Sequence, residues 1–83
     1  MYKVQLIVRP RDGVRDPQGD AVEEALNALG YNQVKVHGVG RCLRLDVQAP
    51  SEAAARQITD DMCKRLLVNP NLETYDIHIE SAA

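Results

Sequence analysis

The 83-residue sequence contains no tryptophan and no phenylalanine, and only 3 tyrosines. A hydrophobic core must therefore be built from valine, leucine, isoleucine and alanine. A chain of this length buries roughly 60–65% of the surface of its unfolded state, which leaves a small core. Small domains often compensate by self-association, so we expect a homodimer or a homotetramer.

Cysteine is scarce as well, with only Cys42 and Cys63 in the chain. The two residues form no C-x-x-C pair, and the predicted elements place them on different faces of the fold. A disulfide requires Cα atoms within about 7 Å, so an intramolecular bridge is not expected. Neither cysteine has further His or Cys residues at zinc-ligand spacing, and free thiols in a reducing compartment are predicted.

Long apolar runs and an excess of basic residues are also missing. No stretch approaches the about 18 apolar residues of a membrane span, and the first ten residues lack the apolar run of a signal peptide. The net charge is −2, with acidic and basic residues interspersed, which argues against a nucleic-acid-binding surface. We expect a cytoplasmic protein that binds neither nucleic acid nor a membrane.

Apolar periodicity predicts the element order β-α-β-β-α-β. Asp16 followed by Pro17 is typical of a helix start, and Gly30 of a left-handed helix end. The predicted elements are a strand ending at Arg9, a helix over Asp16–Leu29, a hairpin of Lys35–Val39 and Cys42–Val47, a helix from the N-cap Ser51 to the stop at Asn69-Pro70-Asn71, and a strand over Tyr75–Glu80.

Two right-handed crossovers place both helices on the same side of the sheet. The predicted fold is therefore α+β: a ferredoxin-like sandwich with a four-stranded antiparallel sheet and two helices on one face, forming a single domain over residues 1–83. The helices are expected to cover Val4, Leu6, Leu43, Leu45, Ile77 and Ile79, and to bury Val22, Ala25, Leu26 and Leu29 of the first helix and Ala55, Ile58, Met62 and Leu66 of the second. The open face is expected to carry Lys3, Gln5, Ile7, Arg9, Cys42, Arg44, Asp46 and His78.

No catalytic constellation is visible in the sequence. His37 and His78 have no serine, cysteine or paired acid at a motif spacing, so surface positions are expected for both. RNA-recognition domains of the same element order stack bases on aromatic residues of the open sheet face. The interior strands of this chain offer none there, which argues against that function.

The loop between the first strand and the first helix is the remaining candidate site. Its arginines approach a helix N-terminus, where anions bind, as phosphate does in acylphosphatase-like enzymes. Its aspartates balance that charge, Asp16 is expected at the N-cap itself, and the loop does not read G-R-V-Q-G. Three uses stay open: a loop ordered by its own ion pairs, a phosphate site, or a docking surface for another protein. The charged residues are Arg9, Arg11, Arg15, Asp12, Asp16 and Asp20.

Two segments resemble a known family. Residues 9–30 read R-P-R-D-G-V-R-D-P-Q-G-D-A-V-E-E-A-L-N-A-L-G, and residues 69–80 read N-P-N-L-E-T-Y-D-I-H-I-E. They resemble the PurS subunit of phosphoribosylformylglycinamidine synthase, and the resemblance covers nearly the whole chain. The D-P-Q-G segment before the helix is its most specific part. His37, Gly38 and Cys42 depart from the family pattern, so no role is assigned to the second hairpin.

The resemblance implies a non-catalytic accessory subunit of a three-part complex in purine biosynthesis. A glutaminase subunit would release ammonia, and a large synthase subunit would use ATP and magnesium to add it to formylglycinamide ribonucleotide. This chain would bridge the two and support ammonia transfer, holding no catalytic residue, cofactor or metal of its own. The alternatives are a small-molecule regulatory domain or an acylphosphatase-like domain of the same topology.

A set of loop residues is expected to face the partner subunits. Gln18 is included because it is a long polar side chain in the first helical turn with no evident structural need. For each member, local capping and ion pairing is the alternative. The set is Arg9, Arg11, Asp12, Asp16 and Gln18.

Overall fold

A computed structural model of the chain describes residues 1–81. Their elements in chain order are β1 (Tyr2–Pro10), α1 (Pro17–Ala28), β2 (Arg41–Val47), α2 (Glu52–Met62), a π-helical turn (Cys63–Leu67) and β3 (Glu73–Ser81). The strands of this described part form one antiparallel sheet in the order β2-β1-β3. The predicted α+β class is confirmed.

The ends of helix α1 follow from its local sequence. Asp16 is extended at the N-cap, and its side chain accepts a hydrogen bond from the backbone N–H of Gln18, with Pro17 at the first helical position. After the C-cap Leu29, Gly30 adopts a left-handed φ of 100°. Both predicted ends of this helix are confirmed.

The segment Lys35–Val39 is not a strand, so the predicted hairpin and four-stranded sheet are wrong within residues 1–81. Side chains of the first helix and its cap take the backbone donors that a strand pairing would need. Glu23 accepts from the N–H of Val36 at 2.7 Å, and Asp16 accepts from the N–H of Val39 at 2.7 Å. The segment is tied to α1, and the outer edge of β2 stays uncovered by it.

Helix α1 does not pack on the sheet, which corrects the prediction of two helices on one face. Neither cluster of core residues includes a member of α1. On its predicted buried side, Val22 is 44% and Leu29 is 74% exposed. The radius of gyration is 16.1 Å, against roughly 12 Å for a compact chain of this length. Residues 17–39 thus form an arm that projects from the sheet.

Helix α2 and the π-helical turn, in contrast, pack on one face of the sheet. Leu6, Val8 and Cys63 are fully buried, and Val4, Val47 and Ala55 form a second cluster. Partly buried residues complete these clusters, among them Leu43, Leu45, Ile77 and Ile79. Helix α2 therefore covers the face of the sheet that was predicted to be covered.

The buried side of α2 is rotated relative to the prediction. Ala55, Thr59 and Cys63 are buried, whereas Ile58 is 39% and Leu66 is 83% exposed. Thr59 is tolerated in the core because its hydroxyl donates to the carbonyl of Ala55 at 2.9 Å, which satisfies a buried polar group. Of the four residues that the helical pattern assigned to the core, Ala55 is buried and Met62 packs against the core, whereas Ile58 and Leu66 lie on an uncovered flank.

Two further expectations concern chemistry and location. Cys42 is exposed and Cys63 is buried, and both are free thiols, as predicted. Among the residues that the structure describes, no helix has both the length and the apolar character needed to cross a membrane.

Candidate interaction site

The predicted loop lies at one end of the sheet, which we call the loop end: residues 9–16, 38–41 and 69–76. Antiparallel pairing creates it, because β1 finishes where β2 and β3 begin. Val8 pairs with Arg41, and Pro10 pairs with Glu73. Three chain segments that are distant in sequence therefore meet there.

Arg9 and Arg11 attach the loop to the segment that leads into β3. The guanidinium of Arg9 forms an ion pair with the carboxylate of Asp76, and both side chains are about half exposed. Arg11 donates from its backbone N–H to the carbonyl of Leu72 and from Nε to that of Pro70, both at 2.9 Å. These contacts order the loop, as one of the three interpretations of the sequence expected.

Asp16 joins the two ends of the arm. One carboxylate oxygen caps α1, and the other accepts from the N–H of Val39. The hydrogen bond from Val39 is the largest cause that lowers the pKa of Asp16, and the N–H groups of Gly19 and Gln18 add to it. The carboxylate fills the helix N-terminus, where a phosphate would have to bind in an acylphosphatase-like site.

Asp12 and Gln18 differ from the other three predicted residues. Both are exposed, and among residues 1–81 neither side chain forms a hydrogen bond or ion pair with the rest of the chain. The structure therefore places the four members of the set within residues 9–16 at the loop end, and Gln18 in the first turn of the adjoining helix α1. Arg9, Arg11 and Asp16 are engaged in structural contacts.

The sequence interpretation missed Arg41 and Glu73, which form a bidentate ion pair at the loop end. Two parallel hydrogen bonds of 2.6 and 3.1 Å join the guanidinium to the carboxylate, and Arg41 also donates to the carbonyl of Leu67 at 2.6 Å. The contact with Arg41 lowers the pKa of Glu73. Only the strand order, with β1 between β2 and β3, could have revealed this pair.

A second missed cluster fixes α2 against β3. The hydroxyl of Tyr75 donates to the carboxylate of Asp60, which also pairs with Lys64 at 2.9 Å. The hydrogen bond to Asp60 is the main reason that the pKa of Tyr75 is raised to about 12. A phenol held in its neutral form is a poor general base, so this cluster is structural.

Residues 1–81 contain no group of three or more His, Cys, Asp or Glu side chains that could hold a metal ion. Arg15 is 87% exposed and lies 3.6 Å from Asp20, so it is not aimed at the occupied helix N-terminus. The site as built is a charged, ordered end of a sheet with two unengaged polar side chains.

Comparison with known proteins identifies the family of this chain. A model of the PurS family, described as phosphoribosylformylglycinamidine (FGAM) synthase, matches residues 3–81. The chain belongs to the PurS family. It is similar to the phosphoribosylformylglycinamidine synthase subunit PurS of Methanocaldococcus jannaschii, with 34% identity over 80 residues that cover 96% of each chain. The corresponding subunit from Synechocystis is 40% identical over 78 residues, covering 94% of this chain and 78% of that one.

Solved PurS structures share the fold. The crystal structure of Methanocaldococcus jannaschii PurS, described as one of the subunits of formylglycinamide ribonucleotide amidotransferase in the purine biosynthetic pathway, matches with a TM-score of 0.87 and 32% identity over the full length of both chains. A chain in the structure of PurLQS from Thermotoga maritima matches with a TM-score of 0.85 and 33% identity, covering 95% of this chain and 96% of that one. The resemblance inferred from the two sequence segments is confirmed.

Proposed function

We propose that the chain is the small accessory subunit of an FGAM synthase in purine biosynthesis. The observation that carries this proposal is the match over residues 3–81 to the PurS family, together with the likeness to a chain of the PurLQS structure. The subunit catalyses nothing alone and is part of a glutamine-hydrolysing carbon–nitrogen ligase in the cytoplasm. The charged, ordered loop end with two exposed and unengaged polar side chains fits this role.

The chemistry is assigned to partner subunits. A glutaminase releases ammonia, and a large synthase subunit uses ATP and magnesium to add the ammonia to formylglycinamide ribonucleotide. This chain, as a homodimer or homotetramer, bridges the two partners and supports ammonia transfer. It holds no cofactor of its own in this proposal.

Reconstitution tests the assignment directly. Purified glutaminase and synthase subunits from the same source are assayed for glutamine-dependent product with and without the chain. Ammonium-driven synthesis by the large subunit is the control, because it bypasses ammonia transfer. We expect glutamine-dependent synthesis to require the chain and ammonium-driven synthesis to proceed without it. Equal glutamine-dependent rates in both mixtures would refute the accessory role.

Within this proposal, the loop residues Arg9, Arg11, Asp12, Asp16 and Gln18 face a partner subunit. The most direct candidates are Asp12 and Gln18, because their side chains are exposed and unengaged in the described chain. Arg9, Arg11 and Asp16 order the loop that presents them. A partner surface would therefore contact the first two side chains and depend on the other three for their position.

The double variant Asp12→Ala/Gln18→Ala tests this interface. We expect it to fold as the wild type does, because no internal contact is removed, and to require a roughly tenfold higher concentration to saturate glutamine-dependent synthesis, since two polar contacts are lost. The matched control is Asp46→Ala/Gln48→Ala, which changes the same residue types at the opposite end of the sheet. Identical titration curves for the two double variants would exclude the loop from the interface.

A further inference from the structure

Strand β3 lies at an edge of the sheet, and its outer side pairs with no other strand of the described chain. The strand order is β2-β1-β3, so β3 has β1 on one side only. The pairing with β1 runs without a break from Tyr2 and Ser81 to Pro10 and Glu73. In an antiparallel ladder, alternate residues turn both their N–H and C=O groups toward the neighbouring strand, and the residues between them turn these groups outward.

Two hydrogen bonds at the start of β3 fix which residues face outward. The backbone N–H of Arg11 donates to the carbonyl of Leu72, so Leu72 and every second residue after it face β1. Glu73 therefore faces outward, and its N–H donates to the carbonyl of Asn69 at 2.7 Å instead of to β1. The same alternation turns outward the backbone groups of Tyr75, Ile77 and Ile79, which we call the outward residues.

The edge formed by the outward residues is open along most of its length. Within residues 1–81, none of their N–H groups has an acceptor. Natural edge strands are commonly protected by lysine, proline or a bulge. Strand β3 contains neither residue type, and its register with β1 has no bulge. Its one cover is Arg56, whose guanidinium donates to the carbonyl of Ile77 at 3.3 Å.

A groove of about 630 Å³ separates this edge from helix α2, which lines it with Ala53, Arg56, Gln57 and Asp60. Asp60 contacts Tyr75 near the start of β3, and Arg56 contacts Ile77 further along. Helix α2 therefore runs antiparallel to β3 and follows its edge. A strand added to this edge would direct every second side chain into the groove.

Arg56 carries the charge that the groove leaves unbalanced. Asp60 is paired with Lys64, and Asp76 at the margin of the groove is paired with Arg9. Arg56 forms no ion pair with another group of residues 1–81. An unpaired cation at an interface is complemented by an acidic group on the partner. The groove therefore suits a strand that carries an acidic side chain.

We propose that the outer edge of β3 binds an extended segment of a partner subunit as a fourth strand, with an acidic side chain of that segment on Arg56. The inference rests on the proposed function, because the glutaminase or the large synthase subunit supplies the segment. The segment residue opposite Ile77 exchanges two backbone hydrogen bonds with it and displaces the guanidinium from its carbonyl. The side chain of that residue lies on the α2 side, as that of Ile77 does, where its carboxylate meets the freed guanidinium.

A second copy of the chain suits this edge less well than a different protein does. If two β3 edges paired, the side chains that entered the groove would be those of the outward residues, and none of these is acidic. Strand β2 would offer Leu43 and Leu45 on its helix side. Neither edge strand of the chain thus supplies a carboxylate to Arg56. Backbone pairing with a partner strand provides affinity, and the side-chain site beside it provides specificity.

Amide hydrogen exchange tests the edge directly. The isotopically labelled chain is compared alone and in the reconstituted complex with unlabelled partner subunits, by quenched-exchange NMR. We expect the amides of the outward residues to exchange roughly 100-fold more slowly in the complex, because each gains an acceptor. The amides of the alternate residues, which face β1, are the internal control and should be protected in both states. Protection of the outward amides in the chain alone would make a second copy the occupant and overturn the proposal.

Two variants test the acidic contact. Arg56→Glu reverses the charge of the groove, and Ala53→Glu adds an acidic group there at an exposed position without removing an internal contact. We expect each to require a roughly tenfold higher concentration to saturate glutamine-dependent synthesis. Arg44→Glu is the matched control, because it reverses an exposed charge on β2, away from this edge. Circular dichroism checks the fold, and Ala53→Glu keeps the test decisive if Arg56→Glu unfolds.

The outcomes separate this inference from the proposed function. An active complex in which the outward amides exchange as fast as in the chain alone would overturn the added strand and leave the accessory role intact. Partner subunits that do not bind the chain at all would overturn both. Acidic variants that titrate as Arg44→Glu does would overturn the contact between Arg56 and an acidic side chain.

Discussion

Asp16 shows how one side chain in this loop serves several elements. Its carboxylate caps α1 and holds Val39, so it fixes both the start of the arm and its return toward the sheet. Both hydrogen bonds come from backbone N–H groups, which favour the charged carboxylate and lower its pKa. The same interaction closes the helix N-terminus to outside anions. A residue expected to face a partner is thereby also a structural clamp.

Replacing Asp16 by Asn removes the charge while keeping a residue that caps helices well. Because folding lowers the pKa of Asp16 below 3.8, its charge stabilises the fold above that value, and the contribution is lost as the pH falls through the lower folded-state pKa. We expect Asp16→Asn to melt below the wild type at neutral pH, with the difference shrinking in acid. Thermal melts from neutral pH to below the folded-state pKa measure this. Asp12→Asn is the control for the charge change itself, because it alters the same loop without removing a cap hydrogen bond. A difference for Asp16→Asn that is constant with pH would contradict the prediction.

Among the elements, the start of β2 depends on a close approach between its backbone and that of β1. Gly40 precedes the strand, and a Cβ built there would lie 2.3 Å from the carbonyl oxygen of Val8. Val8 belongs to the central strand and is fully buried, so that backbone cannot move aside. The junction between the arm and β2 therefore requires glycine for lack of space.

We expect Gly40→Ala to lower the free energy of unfolding by about 3 kcal/mol or more, as overpacking against fixed backbone does. Gly13→Ala is the matched control. Gly13 has a φ of 83°, and no atom beyond its two chain neighbours lies within 4 Å of the position that a Cβ would take there, so its substitution should cost only about 1 kcal/mol of backbone strain. Urea unfolding at one fixed protein concentration compares the two. Equal midpoints would show that the β1–β2 junction adapts to a side chain.

The elements were predictable wherever a local rule governs them. Asp16-Pro17 and Gly30 define α1 because capping depends on neighbours in the chain. The segment Lys35–Val39 was not predictable in this way. Its sequence pattern is that of a strand, but two of its backbone N–H groups donate to Glu23 and Asp16 instead of to a neighbouring strand. These hydrogen bonds depend on how the chain returns along α1. The pair of Arg41 and Glu73 was hidden for the same reason, since strand order is a property of the assembled sheet.

The apolar pattern of the helices was informative even where the single chain contradicts it. Val22 and Leu29 on α1 and Ile58 and Leu66 on α2 read as core positions, yet all four are exposed in the described chain. Clusters of large exposed apolar side chains often mark interaction surfaces. If these side chains are covered in a dimer, the sequence was right about burial and wrong only in assigning it to one copy.

The shape of the whole molecule leads to a prediction about its stability. The chain extends over 50 × 28 × 14 Å, with a small core beside a projecting arm. If folding is coupled to the proposed self-association into a dimer, a tenfold increase in concentration adds about 1.4 kcal/mol per mole of dimer. We expect the urea midpoint of the wild type to rise with protein concentration, and those of Leu29→Glu and Leu66→Glu to be lower and to vary far less over the same range. Leu72→Glu places the same charge at an exposed leucine outside the two helices and should follow the wild type. A wild-type midpoint that is independent of concentration would mean that the arm and the small core are stable in isolation, and that the apolar side chains exposed on the arm need no second copy to cover them.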